Sequence, residues 1–434
     1  MDKMADVLGR AGAWCGQNKY LSAIKNAFQN FMPLTIAGAI GVLWCNVLVN
    51  ESTGLGIFFK PIMALEFLNP AFQAVNFCTI SCITVGITLG IAQEIGVWNM
   101  GAERAGYIPG LVGLAAWLSV TNTSHMVEGA KDAFTGIAGN ELGATGLFTG
   151  MIIGILSVEL FCFFEKQDAL KIKMPEQVPP GVARAFEVLV PATITLIITA
   201  CIGSACYNLT GLYLNDVIKN GIQGPLGAVG ATIPGVMIIY LVIMLFWLVG
   251  IHGNNMLSAV KEALFTPLAL ENVEKFNKGE KPTNIINMYA LQMWGEFGGS
   301  GVTIGLVIAI MIFGKREDNK AIAGLSLVPG LFNINETVTF GIPMVLNPIL
   351  GIPFVFACLV TILVGYVLTV IGFCPVACLT VPWTTPPIVF GFLATGANVM
   401  GAVTQAILIV VSTVIYVPFL IAYEKYQNKQ AAEA

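Results

Sequence analysis

Four ionisable side chains sit in or beside apolar stretches of this 434-residue chain: Glu159, His252, Glu296 and Glu336. Insertion scales put such a group at the centre of a bilayer at roughly 2.5–3.5 kcal/mol, so each needs a reason to be there. Glu336 has the richest surroundings. It lies in Asn333-Ile334-Asn335-Glu336-Thr337-Val338-Thr339-Phe340-Gly341-Ile342-Pro343-Met344-Val345-Leu346-Asn347-Pro348, preceded by Pro329-Gly330. A carboxylate can accept two hydroxyls at once and can take a proton from one of them. With amides on both sides and a backbone broken by proline and glycine, the stretch reads as a solute site within a membrane.

His252 opens His252-Gly253-Asn254-Asn255 at the end of an apolar run and beside Trp247. The glycine breaks the backbone and the asparagines supply amide hydrogen bonds, which suits a hydroxyl-rich solute. Glu296 lies in Trp294-Gly295-Glu296-Phe297-Gly298-Gly299-Ser300-Gly301. That glycine-rich turn fits either a phosphate cradle or close helix packing in a hairpin. Trp383, in Pro382-Trp383-Thr384-Thr385-Pro386-Pro387, offers a face for a sugar ring or serves as an interface aromatic. Glu159, near one end of its span and without polar neighbours in sequence, reads as structural or interfacial.

The elements that must position these residues are those of a membrane protein. The chain is 56% hydrophobic and 11% charged, with a mean hydropathy of +0.79. Soluble domains carry about 25% charged residues. An all-α integral membrane protein follows, since the ~10-residue alternation of a β-barrel is absent. The ten cysteines show neither a pairing pattern nor metal spacing and read as small buried hydrophobes. Metal-ligand clusters, nucleophile triads, nucleotide-binding loops and basic stripes for nucleic acid are also missing. Neither a metal nor a cofactor is expected.

Residues 4–31 have the spacing of an amphipathic interfacial helix whose basic residues set the N-terminus in the cytoplasm. A first span is expected over 32–49, with Pro33 in its first turn. Further spans are expected near 74–92, 107–121, 143–164, 186–208, 233–250, 353–373 and 400–422. Residues 256–270 and 284–297 are apolar but too short to cross ~30 Å, which predicts the arms of a re-entrant hairpin. An apolar run ending at Gly314 and the broken stretch 321–349 bring these eight spans to about ten transmembrane helices; 374–397 is also broken, and two re-entrant hairpins are expected. The expected division is an N-terminal amphipathic helix 1–31, a five-span half 32–208 and a solute-binding half 209–434. Both termini then face the cytoplasm, but the same count puts Lys315-Arg316-Glu317-Asp318-Asn319-Lys320 outside, against its basic residues.

Taken in order, Ala23-Ile24-Lys25-Asn26-Ala27-Phe28, Met32-Pro33-Leu34-Thr35, Gly250-Ile251-His252-Gly253, Gly298-Gly299-Ser300-Gly301, Phe332-Asn333-Ile334-Asn335-Glu336, Gly341-Ile342-Pro343 and Asn347-Pro348 form a specific set. With them the chain resembles, over its whole length, the membrane-spanning enzyme IIC component of the bacterial phosphotransferase system, lactose/N,N′-diacetylchitobiose/cellobiose branch. The resemblance implies group translocation. A disaccharide would bind from outside, be phosphorylated on its 6-hydroxyl by a phosphocysteine of a separate IIB subunit, and be released inside. It further implies a homodimer formed by the first five spans, and the roles of the family's histidine and glutamate for His252 and Glu336. Asn254, Asn255, Trp247, Glu296, Asn333, Asn335 and Trp383 are the accompanying candidates for sugar contact. No IIB domain follows the last span, which favours cellobiose or diacetylchitobiose over lactose. The alternative is a secondary sugar transporter using Glu336 as a proton or cation site; a receptor or scaffold would not need a buried carboxylate among amides.

Overall fold

The computed structural model describes residues 14, 17–51, 56, 59–125, 134–175, 177–225, 230–342, 344 and 347–433. Residues 4–13, 15 and 16 of the expected interfacial helix, and Pro343 with Val345-Leu346 of the Glu336 stretch, lie outside the described residues. Among those described, the backbone is mostly helical, and strand is confined to a two-residue ladder pairing Ser124 with Thr135 and His125 with Phe134. Contacts divide the chain into two compact units, Gln17–Gly38 with Ala74–Gly227 and Ala39–Gln73 with Ala228–Ala434.

The first unit contains α1 (Lys19–Leu43) as far as Gly38, α2 (Ile83–Met100), α3 (Ile108–Val120), α4 (Ala144–Glu165) and α5 (Pro180–Thr210). Pro33 lies inside α1, not at the start of a span, so residues 19–31 of the expected interfacial helix and residues 32–43 of the first span are one continuous element. Small residues let the helices close up. A Cβ on Gly113 would come within 2.3 Å of Ala92, and one on Gly150 within 2.2 Å of the Thr88 hydroxyl. Trp117, Ala116, Val120 and Ile153 fill the space between them. α5 stops at Gly211, whose φ of 71° lets its N–H return to the Tyr207 carbonyl at 2.8 Å. Glu159 does have polar company, contrary to expectation: Lys19 pairs with it at 2.5 Å and Asn99 donates to it at 3.3 Å. Neighbours brought from distant helices are invisible to a local reading. Glu165, 2% exposed, is likewise held by Arg104 and Arg184 at 2.9 Å each.

The second unit holds α6 (Ile233–Leu248), α7 (Gly253–Met256), α8 (Ser258–Asn277), α9 (Met288–Gly295), α10 (Ile304–Phe313), α11 (Glu317–Leu331), α12 (Glu336–Gly341), α13 (Gly351–Val370), α14 (Val389–Ala394) and α15 (Val399–Glu433). α6 begins with the Thr232 hydroxyl accepting from Gly235 N–H, and Pro234 stands in the first turn, where its missing N–H costs nothing. α8 runs for 20 residues, longer than the arm expected at 256–270, whereas α9 has only 8. Among the described residues six helical runs are long and apolar enough to cross a membrane. Met288–Val302 and Ile304–Phe313 form a further pair bent by 60°, and α3 and α6 are shorter apolar helices.

The irregular backbone of this unit finds its hydrogen bonds inside the protein, as any backbone away from water must. Asn272 and Asn287, both fully buried, each donate to the Ala377 carbonyl, at 3.0 and 3.1 Å. Asn287 also caps α9 by accepting from Tyr289 and Ala290 N–H, and Asn272 accepts from Thr283 and Asn284 N–H. Gln405 accepts from Ile388 and Gly391 N–H at 2.7 Å each and donates to the Met293 carbonyl. In this way α8, α9 and α15 hold the broken stretch 374–397.

The charged segment after α10 is tied to the end of α15. Glu424, 5% exposed, accepts from Lys315 N–H at 2.9 Å and Arg316 N–H at 3.3 Å, and Arg316 donates to Asn428 at 2.7 Å. Residues 315–319 therefore lie at the same end of the unit as 424–428. A crossing count that sets them on opposite sides is therefore off by one between 320 and 424, where the stretch 321–349 consists of α11 and the short, separate α12 and not of one regular span. The basic residues of both segments then share one membrane face, consistent with charge bias. In a cysteine-free background, Glu317→Cys and Lys429→Cys should react with a membrane-impermeant maleimide from the same side. Labelling from opposite sides would contradict this arrangement.

Candidate functional site

Three turns of the second unit carry the candidate residues. The first follows α6, where Gly250 adopts φ 80° and His252 caps α7. His252 Nδ1 accepts from Asn255 N–H at 3.2 Å. Gly253 is required here, because a Cβ would fall 2.0 Å from the Ile243 carbonyl. The Trp247 ring lies 4.5 Å from the His252 ring and 6.4 Å from that of Phe354, so the imidazole packs on an aromatic neighbour.

The second turn, Asn333–Glu336, leads into α12. Asn333 sits at φ 63°, a conformation that asparagine tolerates better than most residues. Its side-chain oxygen accepts from Gly298 N–H at 2.6 Å, and its amide donates to the carbonyls of Trp383 at 2.5 Å and Thr385 at 3.1 Å. Asn335, 4% exposed, donates to the Ser300 carbonyl at 2.8 Å. Glu336 is the first residue of α12 and reaches back across the unit. Its Oε1 stands 3.9 Å from His252 Nε2, and both side chains are open, at 48% and 37% exposure. The two residues singled out for chemistry, 84 positions apart, thus face each other.

The third turn is Gly298-Gly299-Ser300-Gly301, in which all three glycines have positive φ, between 69° and 86°. Gly299 N–H bonds to the Glu296 carbonyl and Gly298 N–H to Asn333, while a Cβ on Gly299 would collide with Asn335. Of the two readings open for this turn, close packing describes it: its glycines admit neighbouring chain.

Glu296 belongs to an ion pair with Lys261, whose side chain is 7% exposed, and Tyr240 O–H donates to the same carboxylate at 2.6 Å. Lys261 also donates to Asn254 Oδ1 at 3.1 Å, and Asn254 Nδ2 donates to Ser300 Oγ at 2.9 Å. The side chains of Asn254, Asn333, Asn335 and Glu296 are therefore engaged by protein, and Trp247 is 3% exposed. Among the candidates for sugar contact, Asn255 and Trp383 present open side chains, Trp383 at 45%. Lys261 and Tyr240, which local reading did not single out, join this polar network through Glu296. The available signal was charge: a lysine within a largely apolar arm requires a counter-ion, and here the partner is Glu296, 35 positions away, and not the adjacent Glu262.

A family model described as "Phosphotransferase system, EIIC" matches residues 25–358. The chain belongs to this EIIC family. It is similar to the oligo-beta-mannoside-specific EIIC component of Bacillus subtilis, with 33% identity covering 98% of this chain and 94% of the relative. It is also similar to the cellobiose-specific EIIC component of Lactococcus lactis, with 29% identity covering 98% of each. Among solved structures it matches the crystal structure of the transporter ChbC, the IIC component of an N,N'-diacetylchitobiose-specific phosphotransferase system. That match has a TM-score of 0.88 at 29% identity over 97% of both chains. The protein is a multi-pass, sugar-specific EIIC permease, and the family sets aside a secondary transporter.

Within this EIIC chain the Lys261–Glu296 pair is largely buried, so removing one partner strands the other. Lys261→Met should destabilise the protein by about 3 kcal/mol, and adding Glu296→Gln should recover most of that loss. Thermal unfolding of the purified variants in detergent measures both, and equal melting of Lys261→Met and the unaltered protein would refute the expectation.

Proposed function

We propose that this EIIC permease carries a β-linked disaccharide of the cellobiose or diacetylchitobiose type and presents its 6-hydroxyl to a phosphocysteine on a separate IIB subunit. The observation that carries the reading is the 3.9 Å gap between His252 Nε2 and Glu336 Oε1, flanked by open side chains. A hydroxyl oxygen about 2.8 Å from each atom bridges that gap with ordinary hydrogen bonds. Supporting the sugar class, relatives are named for an oligo-β-mannoside, for cellobiose and for diacetylchitobiose, all β-linked.

The two residues take different parts. The Nδ1 lone pair of His252 is occupied by Asn255 N–H, so the neutral ring carries its proton on Nε2, facing Glu336. His252 donates to the sugar oxygen and holds it in place. Glu336 accepts the hydroxyl proton as the oxygen–phosphorus bond forms and the sulfur–phosphorus bond breaks, leaving a thiolate on IIB. Phosphoryl transfer draws mainly on positioning and charge, which this pair provides without a covalent intermediate on the permease. The exposed face of Trp383 stacks on a sugar ring and Asn255 adds an amide.

Residues 32–208 supply a homodimer interface and 209–434 the sugar-binding half, with both termini in the cytoplasm. The exposed Leu189, Ile197 and Ile202 along α5 favour an apolar partner or lipid there, and every candidate site residue falls between 247 and 383. Glu336→Gln, which cannot take the proton, should lower sugar phosphorylation by phospho-IIB about 100-fold or more, and His252→Ala should do the same. Formation of cellobiose 6-phosphate or diacetylchitobiose 6-phosphate by purified protein is the measurement. Unchanged turnover in both variants would remove these residues from the reaction.

A further inference from the structure

The two residues that face each other across the site sit on different turns, and neither turn touches the other through its own hydrogen bonds. Both are fastened to one residue. Ser300 Oγ accepts from Asn254 Nδ2 at 2.9 Å, two positions along from His252. The Ser300 carbonyl accepts from Asn335 Nδ2 at 2.8 Å, one position before Glu336. Ser300 is 4% exposed and is itself held: Tyr416 O–H donates to the Gly301 carbonyl at 2.7 Å from the body of α15. Asn254 is fixed at its other end by Lys261 at 3.1 Å, and Lys261 is locked by Glu296. Both polar ends of the Asn254 side chain thus point into protein.

We propose that Ser300, through Asn254, is a positioning residue that sets the separation of His252 and Glu336, with the Lys261–Glu296 pair as its anchor. The proposal rests on the reading of those two residues as the phosphorylation site. Its logic is one of independent control: the hydroxyl governs the His252 turn and the carbonyl governs the Glu336 turn. Replacing Ser300 by alanine deletes the first link and keeps the second. Residues that position reacting groups act on turnover, since an error of about 1 Å can cost ~100-fold in rate.

The test uses purified full-length protein, phospho-IIB as donor, and cellobiose and diacetylchitobiose as acceptors. Ser300→Ala and Asn254→Ala should each lower kcat about tenfold or more, with the sugar Kd within about threefold of the unaltered protein. Because both remove the same bond, the double variant should be no slower than Asn254→Ala alone. Full turnover in Ser300→Ala overturns the proposal. So do losses that multiply in the double variant, or a loss of sugar binding that accompanies the loss of turnover in both single variants, which would mark a general structural role. Glu336→Gln assayed alongside separates the two levels. If it turns over normally, the assignment of the site itself fails; if it is inactive while Ser300→Ala is normal, only the positioning role falls.

Discussion

Backbone that leaves a helix inside an apolar slab must find hydrogen bonds in the protein, and the second unit is built around that demand. A peptide group stranded in lipid costs several kcal/mol. Asparagine and glutamine answer it here, because one amide donates and accepts at once. Asn272 and Asn287 converge on the Ala377 carbonyl, Gln405 holds two N–H groups at the start of α14, and Asn333 joins the 298 turn to the 383–385 segment. With those bonds in place, non-helical chain persists where regular helices would leave no room for a polar solute.

The same economy separates the polar candidates. Asn254, Asn333 and Asn335 are engaged in holding protein, while Asn255, Trp383, His252 and Glu336 keep open side chains. His252 is the instructive case, because its two nitrogens are divided. One caps α7 and the other faces the carboxylate, and this sets the tautomer without a second acidic residue behind the ring.

Composition made the membrane class legible, and apolar runs located most of the long helices to within a few residues. Glu336 and His252 stood out because each interrupts an apolar stretch amid small and amide residues. What stayed hidden depends on distance in the chain. Lys261 and Glu296 are 35 positions apart, and Lys19 and Glu159 are 140 apart, with no periodicity to connect them. The continuity of α1 through Pro33 and the length of α8 were missed for another reason: tertiary packing outweighed local breaking signals. Parity across 321–349 could not come from hydropathy, since an apolar stretch reads the same whether it is one straight span or is broken into α11 and the short α12.

α11 is a strut. Its 15 residues extend for about 22 Å at 1.5 Å per residue. One end is tied through the 315–319 backbone to the foot of α15, and the other runs directly into the turn that carries Glu336. That turn is pinned by Asn333 to Gly298 and by Asn335 to Ser300, so the rod is fastened at both ends. Its length therefore sets how far the Glu336 turn stands from the charged segment.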